Sequence, residues 1–248
     1  MAKMNAESLR NKRFLFSELV IISGLILIVL WIPPLVFSPE QAAHGGWLKW
    51  AMKQRPDGFY SCHIIEKIVF GLLGIFVLFR LIAEKRDWRE AGLTLKHFLP
   101  AIKNLAVPTF GGVAALLAIG AAVHSLDLGT DRFWKKLYPN TFLGQYAQQA
   151  VIQIYFNHRA MQIFGKGARS VAWVTGTFAL FHLPNPALTL GVAYGMWFWA
   201  RTYQQAPNIL ALACSHMILT AFLWHTIPEA WRPSLTVGWR FIERAHWF

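Results

Sequence analysis

Between Arg132 and Pro228 the sequence contains no aspartate and no glutamate. Across all 248 residues there are 12 acidic side chains against 24 basic ones, and charged residues together make up only 15%. A soluble domain carries roughly 25%, so an ordinary soluble enzyme is excluded, in keeping with a mean hydropathy of +0.37. Cysteine is limited to Cys62 and Cys214, which excludes a disulfide scaffold. A hydrophobic content of 55% excludes a disordered chain. No repeat or low-complexity tract occurs, and no loop is long enough for a second domain. One domain covering residues 1–248 is expected, an all-α polytopic membrane helix bundle.

A bilayer-crossing helix needs about 20 mostly apolar residues. Seven segments approach that: Phe14–Phe37, Cys62–Ile82, Phe98–Val123, Phe142–Phe164, Arg169–Leu183, Ala187–Tyr203 and Asn208–Ile227. The fifth and sixth are short, and Leu183-Pro184-Asn185-Pro186 between them forces a turn. The first follows Arg10, Lys12 and Arg13, but its apolar run is longer than that of a signal peptide and predicts a retained anchor. Residues Glu229–Phe248 interleave Trp231, Trp239 and Phe241 with Arg232, Arg240 and Arg244. That pattern suits a C-terminal helix lying in the interface, with an eighth span as the alternative.

The excess of positive charge is spread along the chain, which points away from nucleic acid and toward anionic lipid headgroups. Trp47, Trp50, Trp88, Trp134, Trp231, Trp239 and Trp247 fall outside the spans, where interfacial aromatic belts form. The lipid bilayer is therefore the first expected partner.

Polar side chains inside apolar spans are functional candidates by default because they are costly to bury in lipid. The fourth segment carries Gln145, Gln148, Gln149, Gln153, Asn157 and His158. At 100° per residue its four glutamines occupy an arc of about 140°. The fifth holds Phe178 and His182 one turn apart, and the seventh holds His216 and Thr220 at the same spacing. Two histidines and a glutamine face on three helices are the ingredients of a site inside a helix bundle. The plainer reading is that such groups bridge helices by hydrogen bonds, with no chemistry.

Gln148-Gln149-x-x-x-Gln153, Phe178-x-x-x-His182-Leu-Pro-Asn-Pro and His216-x-x-x-Thr220 resemble the three motifs of the CPBP intramembrane proteases. That family includes CAAX-processing endopeptidases and bacteriocin self-immunity proteins. Its pattern is Glu-Glu-x-x-x-Arg, Phe-x-x-x-His and His-x-x-x-Asn or Asp, and the motif core here is about 142–227. The resemblance implies a membrane metalloprotease of a bacterial inner membrane. Gln148 and Gln149 stand at the positions of the catalytic glutamates, His182 and His216 at those of metal ligands. Gln145, Gln153, Phe178 and Thr220 are then expected to line the cavity. Zinc is the cofactor implied if the site is occupied, and otherwise none.

The departures fall on the chemistry. An amide oxygen accepts a hydrogen bond but takes no proton near neutral pH, so neither Gln148 nor Gln149 serves as a general base. Two histidines with an amide make a poorer zinc site than two histidines with a carboxylate. The candidate replacement bases are Glu18 and Glu66, the only acids at or within spans, and His158, which lies off the glutamine face. The sequence therefore predicts either a protease with an altered site or a non-catalytic protein of the same fold. The latter would bind a lipid, pigment or membrane-associated peptide, or serve as an accessory subunit of a membrane complex.

Overall fold

The computed structural model describes residues 6–36, 59–85, 87–129, 133, 139–231, 235 and 237–238. The described residues are helical or loop, with no strand among them. A helix stands at each of the seven apolar segments. They are α1 (Ala6–Val36), α2 (Phe59–Ala83), α3 (Phe98–Ala122), α4 (139–164), α5 (Ala168–Phe181), α6 (Pro186–Gln205) and α7 (Ile209–Thr226). A short 3-10 turn follows at Glu229–Trp231. Most of Glu229–Phe248, expected as an interfacial helix or eighth span, lies outside the described residues, as do the side chains of Cys62 and Glu66.

Among the described residues, three helices contain stretches long and apolar enough to cross a membrane: Asn11–Trp31, Phe98–Ala122 and Ile209–Thr226. This is narrower than the expectation of seven spans. The stretch Ile68–Ala83 of α2 is apolar but shorter. Helices α4 and α6 carry buried amides, Gln149, Gln153, Asn157 and Gln204.

Burial on the outer helices runs in narrow stripes. On α1 the buried residues are Leu15, Leu19, Ile26 and Leu30, at spacings of four and seven that keep them on one face. Phe14, Ile21, Leu25 and Ile28 of the same helix are exposed. On α3, Ala101, Leu105 and Thr109 are buried while Leu99, Val107 and Phe110 are exposed. Water would not tolerate such apolar outer faces over several helices, whereas hydrocarbon does.

Small residues set the closest approaches. A Cβ at Gly120 of α3 would sit 2.8 Å from the backbone oxygen of Thr226, at the end of α7. Nearby, Ser125 donates to the same carbonyl, so the turn after α3 is fastened to α7. The expected turn at Leu-Pro-Asn-Pro is present. The Asn185 side chain caps α6 by accepting from the Leu188 N–H at 3.0 Å, and Pro186 fills the first helical position, where no donor is needed. Asn208 caps α7 in the same way and donates to the Thr94 and Lys96 carbonyls, which pins the loop before α3.

Helix α4 is the element that organises the interior. It begins as an α-helix over Pro139–Ala150, widens into a π-helix over Val151–Asn157, and closes as an α-helix over His158–Phe164. In the wide part the His158 N–H reaches back to the Gln153 carbonyl, five residues earlier. Extended π-helical stretches are rare and concentrate at functional sites. On its apolar side, Phe156 meets Phe178 edge-on at 5.2 Å and Phe178 meets Phe181 at 5.1 Å, which locks α4 against α5.

Candidate functional site

An α-helix advances 3.6 residues per turn, so residues four apart drift by about 40° around it. The wider π turn drifts the other way. Gln149, Gln153 and Asn157, spaced by four across the α-to-π junction, consequently stack along one line. All three are fully buried.

Their side chains form a continuous hydrogen-bonded ladder. Asn157 Nδ2 donates to Gln153 Oε1 at 2.7 Å, and Gln153 Nε2 donates to Gln149 Oε1 at 3.1 Å. Gln149 Nε2 then meets His216 Nδ1 at 3.2 Å. In the other direction Gln204 of α6 donates from Nε2 to Asn157 Oδ1 at 2.9 Å and to Ser170 Oγ at 3.0 Å. The far end is backbone: the Gly167 N–H donates to Gln204 Oε1, and the Gly167 carbonyl accepts from Ser170. Gly167 has φ of 133°, a conformation closed to other residues at low cost, and this turns both of its polar groups toward the ladder.

The ladder joins α4, α5, α6 and α7. Chains of hydrogen bonds in a medium of low polarity reinforce one another, and any member left unpaired costs heavily. His216 is further held by Trp199, whose ring centroid lies 4.4 Å away. Trp199 itself donates to Ser215 Oγ at 2.9 Å, and Ser215 is joined to Thr109 of α3 at 2.7 Å.

His182 occupies the C-terminal end of α5. Its Nδ1 donates to the Phe178 carbonyl at 2.7 Å, one of the carbonyls left over at a helix end. The Phe-x-x-x-His spacing is thereby a capping arrangement as well as a motif.

The eight residues singled out from the sequence thus divide. Gln149, Gln153 and His216 are brought together, with Phe178 and His182 beside them. Gln148 is exposed on the other side of α4, so the glutamine arc splits at the Gln148–Gln149 step. Gln145 is half-buried, and its Oε1 has no hydrogen-bond partner among the described residues. Thr220 is half-buried one turn beyond His216. Sequence reasoning noted Asn157 without assigning it a place, and did not find Gln204, Ser170 or Gly167. The Gln204-Gln205 pair at the end of a span was the available signal.

Two of the candidate replacement bases, Glu18 and His158, are engaged elsewhere. Glu18 of α1 accepts from Tyr155 Oη at 2.8 Å and from Arg80 at 3.2 Å. Arg159 lies 3.9 Å from the same carboxylate and also pairs with Glu84. His158 is hydrogen-bonded to Gln162 at 3.2 Å.

The donor set does not fit zinc. No group of three or more His, Cys, Asp or Glu able to hold a metal occurs among the described residues. Among the described residues, no carboxylate or thiolate groups with His182 and His216 to neutralise a divalent cation. An open recess bordered by Trp199 and Ser215 leaves no room for a small molecule. In comparisons with known proteins, no family model, no curated protein and no solved structure matches the chain.

Proposed function

We propose that this protein is an integral membrane helix bundle of the CPBP protease type that does not hydrolyse peptide bonds and acts as a binding or accessory subunit of a membrane complex. The observation that carries this reading is the orientation of Gln149. At the position where the family's motif has a glutamate, this residue is wholly buried and turns an amide N–H toward His216. A donor in that place activates no water and neutralises no metal. The acid-free stretch from Arg132 to Pro228 leaves no carboxylate in the motif core to replace it.

With the interior filled by its own hydrogen bonds, recognition falls to the outer surface. That surface is apolar over α1, α2 and α3, which suits lipid and the helices of other membrane subunits. The bacterial inner membrane is the location that the resemblance favours.

The test is a cleavage assay on the purified protein in lipid, using prenylated and membrane-proximal peptides. The native chain is expected to be inactive. Turnover by the native chain that is lost in His216→Ala would overturn the reading. A second arm isolates the protein in mild detergent and identifies what accompanies it. A solitary protein in every mild detergent counts against the subunit assignment.

A further inference from the structure

A primary amide is ambiguous in a hydrogen-bonded chain, because exchanging its oxygen and nitrogen reverses every bond it makes. Here the ambiguity is removed by backbone groups that have one role each. The Gly167 N–H only donates, so Gln204 turns Oε1 toward it, at 2.8 Å, and Nε2 toward Asn157. The Ala200 carbonyl only accepts, so Asn157 turns Nδ2 toward it, at 3.0 Å. That nitrogen gives its other proton to Gln153 Oε1. Gln153 is left to donate to Gln149 Oε1, and Gln149 to present its NH₂ to His216 Nδ1.

An amide NH₂ has no lone pair to offer, so Nδ1 is the acceptor and the ring proton sits on Nε2. We propose that the ladder is a tautomer lock, holding His216 in the Nε2–H form so that the ring offers no free lone pair to a metal cation. His182 complements this. Its Nδ1–H is spent on the Phe178 carbonyl, which leaves the lone pair on Nε2. Metal binding needs a lone pair on the ligating nitrogen, with the other nitrogen's proton given to an acceptor. The ladder imposes the opposite arrangement on His216 from a helix away.

The inference rests on the non-hydrolytic reading of the same site, and the two fail differently. The full chain, labelled with 15N-histidine, is examined in detergent micelles by long-range 1H–15N correlation, with His216→Ala to assign the ring. The native spectrum is expected to show His216 as Nε2–H; an Nδ1–H or doubly protonated ring there overturns the lock, even if cleavage is absent. Detected cleavage with an Nε2–H ring would sink the functional reading while upholding the lock.

Gln153→Glu tests the action at a distance, since this side chain does not touch His216. A carboxylate only accepts, so Gln149 must turn over to donate to it and then present Oε1 to the histidine. The proton is expected to move to Nδ1. An unchanged tautomer in a folded Gln153→Glu protein overturns the proposal. Should that variant not fold, Gln149→Glu places the acceptor directly beside Nδ1 and predicts the same transfer. Freeing Nε2 in this way is also expected to tighten binding of added zinc by about 10–100-fold over the native chain. Equal zinc affinity in native and variant proteins counts against the lock.

Discussion

Two polar regions cross the interior of this protein, and they are built on opposite principles. The ladder from Gly167 to His216 is made of neutral amides, hydroxyls and imidazole, all paired end to end. The cluster formed by Glu18, Arg80, Glu84 and Arg159 is made of full charges that ties α1 and α2 to the far end of α4. Both are attached to the same helix, one on each side of the π-helical stretch: Gln153 and Asn157 serve the ladder, Tyr155 and Arg159 the cluster. The difference shows what each location permits. Near the ends of α2 and α4, charges persist because each cation has a carboxylate partner. In the middle of the bundle the chain keeps polar specificity but removes charge, which costs about 2.5–3.5 kcal/mol per group at a bilayer centre.

If that division is right, the cluster is the more fragile of the two. Arg159 is only 3% exposed, and replacing it by methionine keeps most of its volume while leaving Glu18 and Glu84 short of a partner. Arg159→Met is expected to destabilise the protein by about 3 kcal/mol, read by thermal or denaturant unfolding in detergent. A loss below that of a ladder substitution would reverse the comparison. Asn157→Leu is the matching cut in the ladder. It strands Gln153 Oε1 and removes one of the two acceptors of Gln204 Nε2, which keeps Ser170, and is expected to cost about 1–3 kcal/mol. Trp199→Phe removes one bond at the margin of the ladder, that to Ser215, which keeps Thr109 as a partner. Its expected cost is about 0.5–1.5 kcal/mol by the same measurement.

The positions of the helices were legible because hydropathy and the Leu-Pro-Asn-Pro break mark them directly. Ends were less so: α1 begins at Ala6 and not near Phe14, because Ala6–Arg13 is helical without being apolar. The number of membrane crossings was legible only in part: of the seven expected, three helices among the described residues are long and apolar enough to cross. Within the site, the residues on α4 and His216 could be found from polar groups in apolar spans. The π-helix could not, because widening a turn is a backbone adjustment with no composition of its own. Without it, Gln148 and Gln149 looked equivalent, and only the structure separates the buried one from the exposed one. The cluster was missed for a different reason. Attention fell on acids within spans as candidate bases, while Arg80 and Arg159, cations inside predicted spans, were the better pointer to Glu18.

The smallest expected effect separates the two regions by pH. Amides do not titrate, so the links between Gln204 and Gln149 add no pH slope to stability. Glu84, just past the end of α2, does. Burial pushes its carboxyl up, but the hydrogen bond and charge of Arg159, with the charges of Arg80 and His158, outweigh this and hold it below the ordinary glutamate value. The folded state therefore releases that proton more readily than the unfolded chain. The resulting stability is complete above the ordinary glutamate pKa and is lost as pH falls through the depressed folded value. Because the carboxylate is 29% exposed, solvent screens it, and the contribution is less than about 1 kcal/mol. Melting temperatures measured from neutral pH down into the acid range should fall more steeply for the native chain than for Glu84→Gln. Parallel curves would mean that Arg159 draws its hold on the bundle from Glu18 alone, which would shift the weight of the charged cluster from α2 to α1.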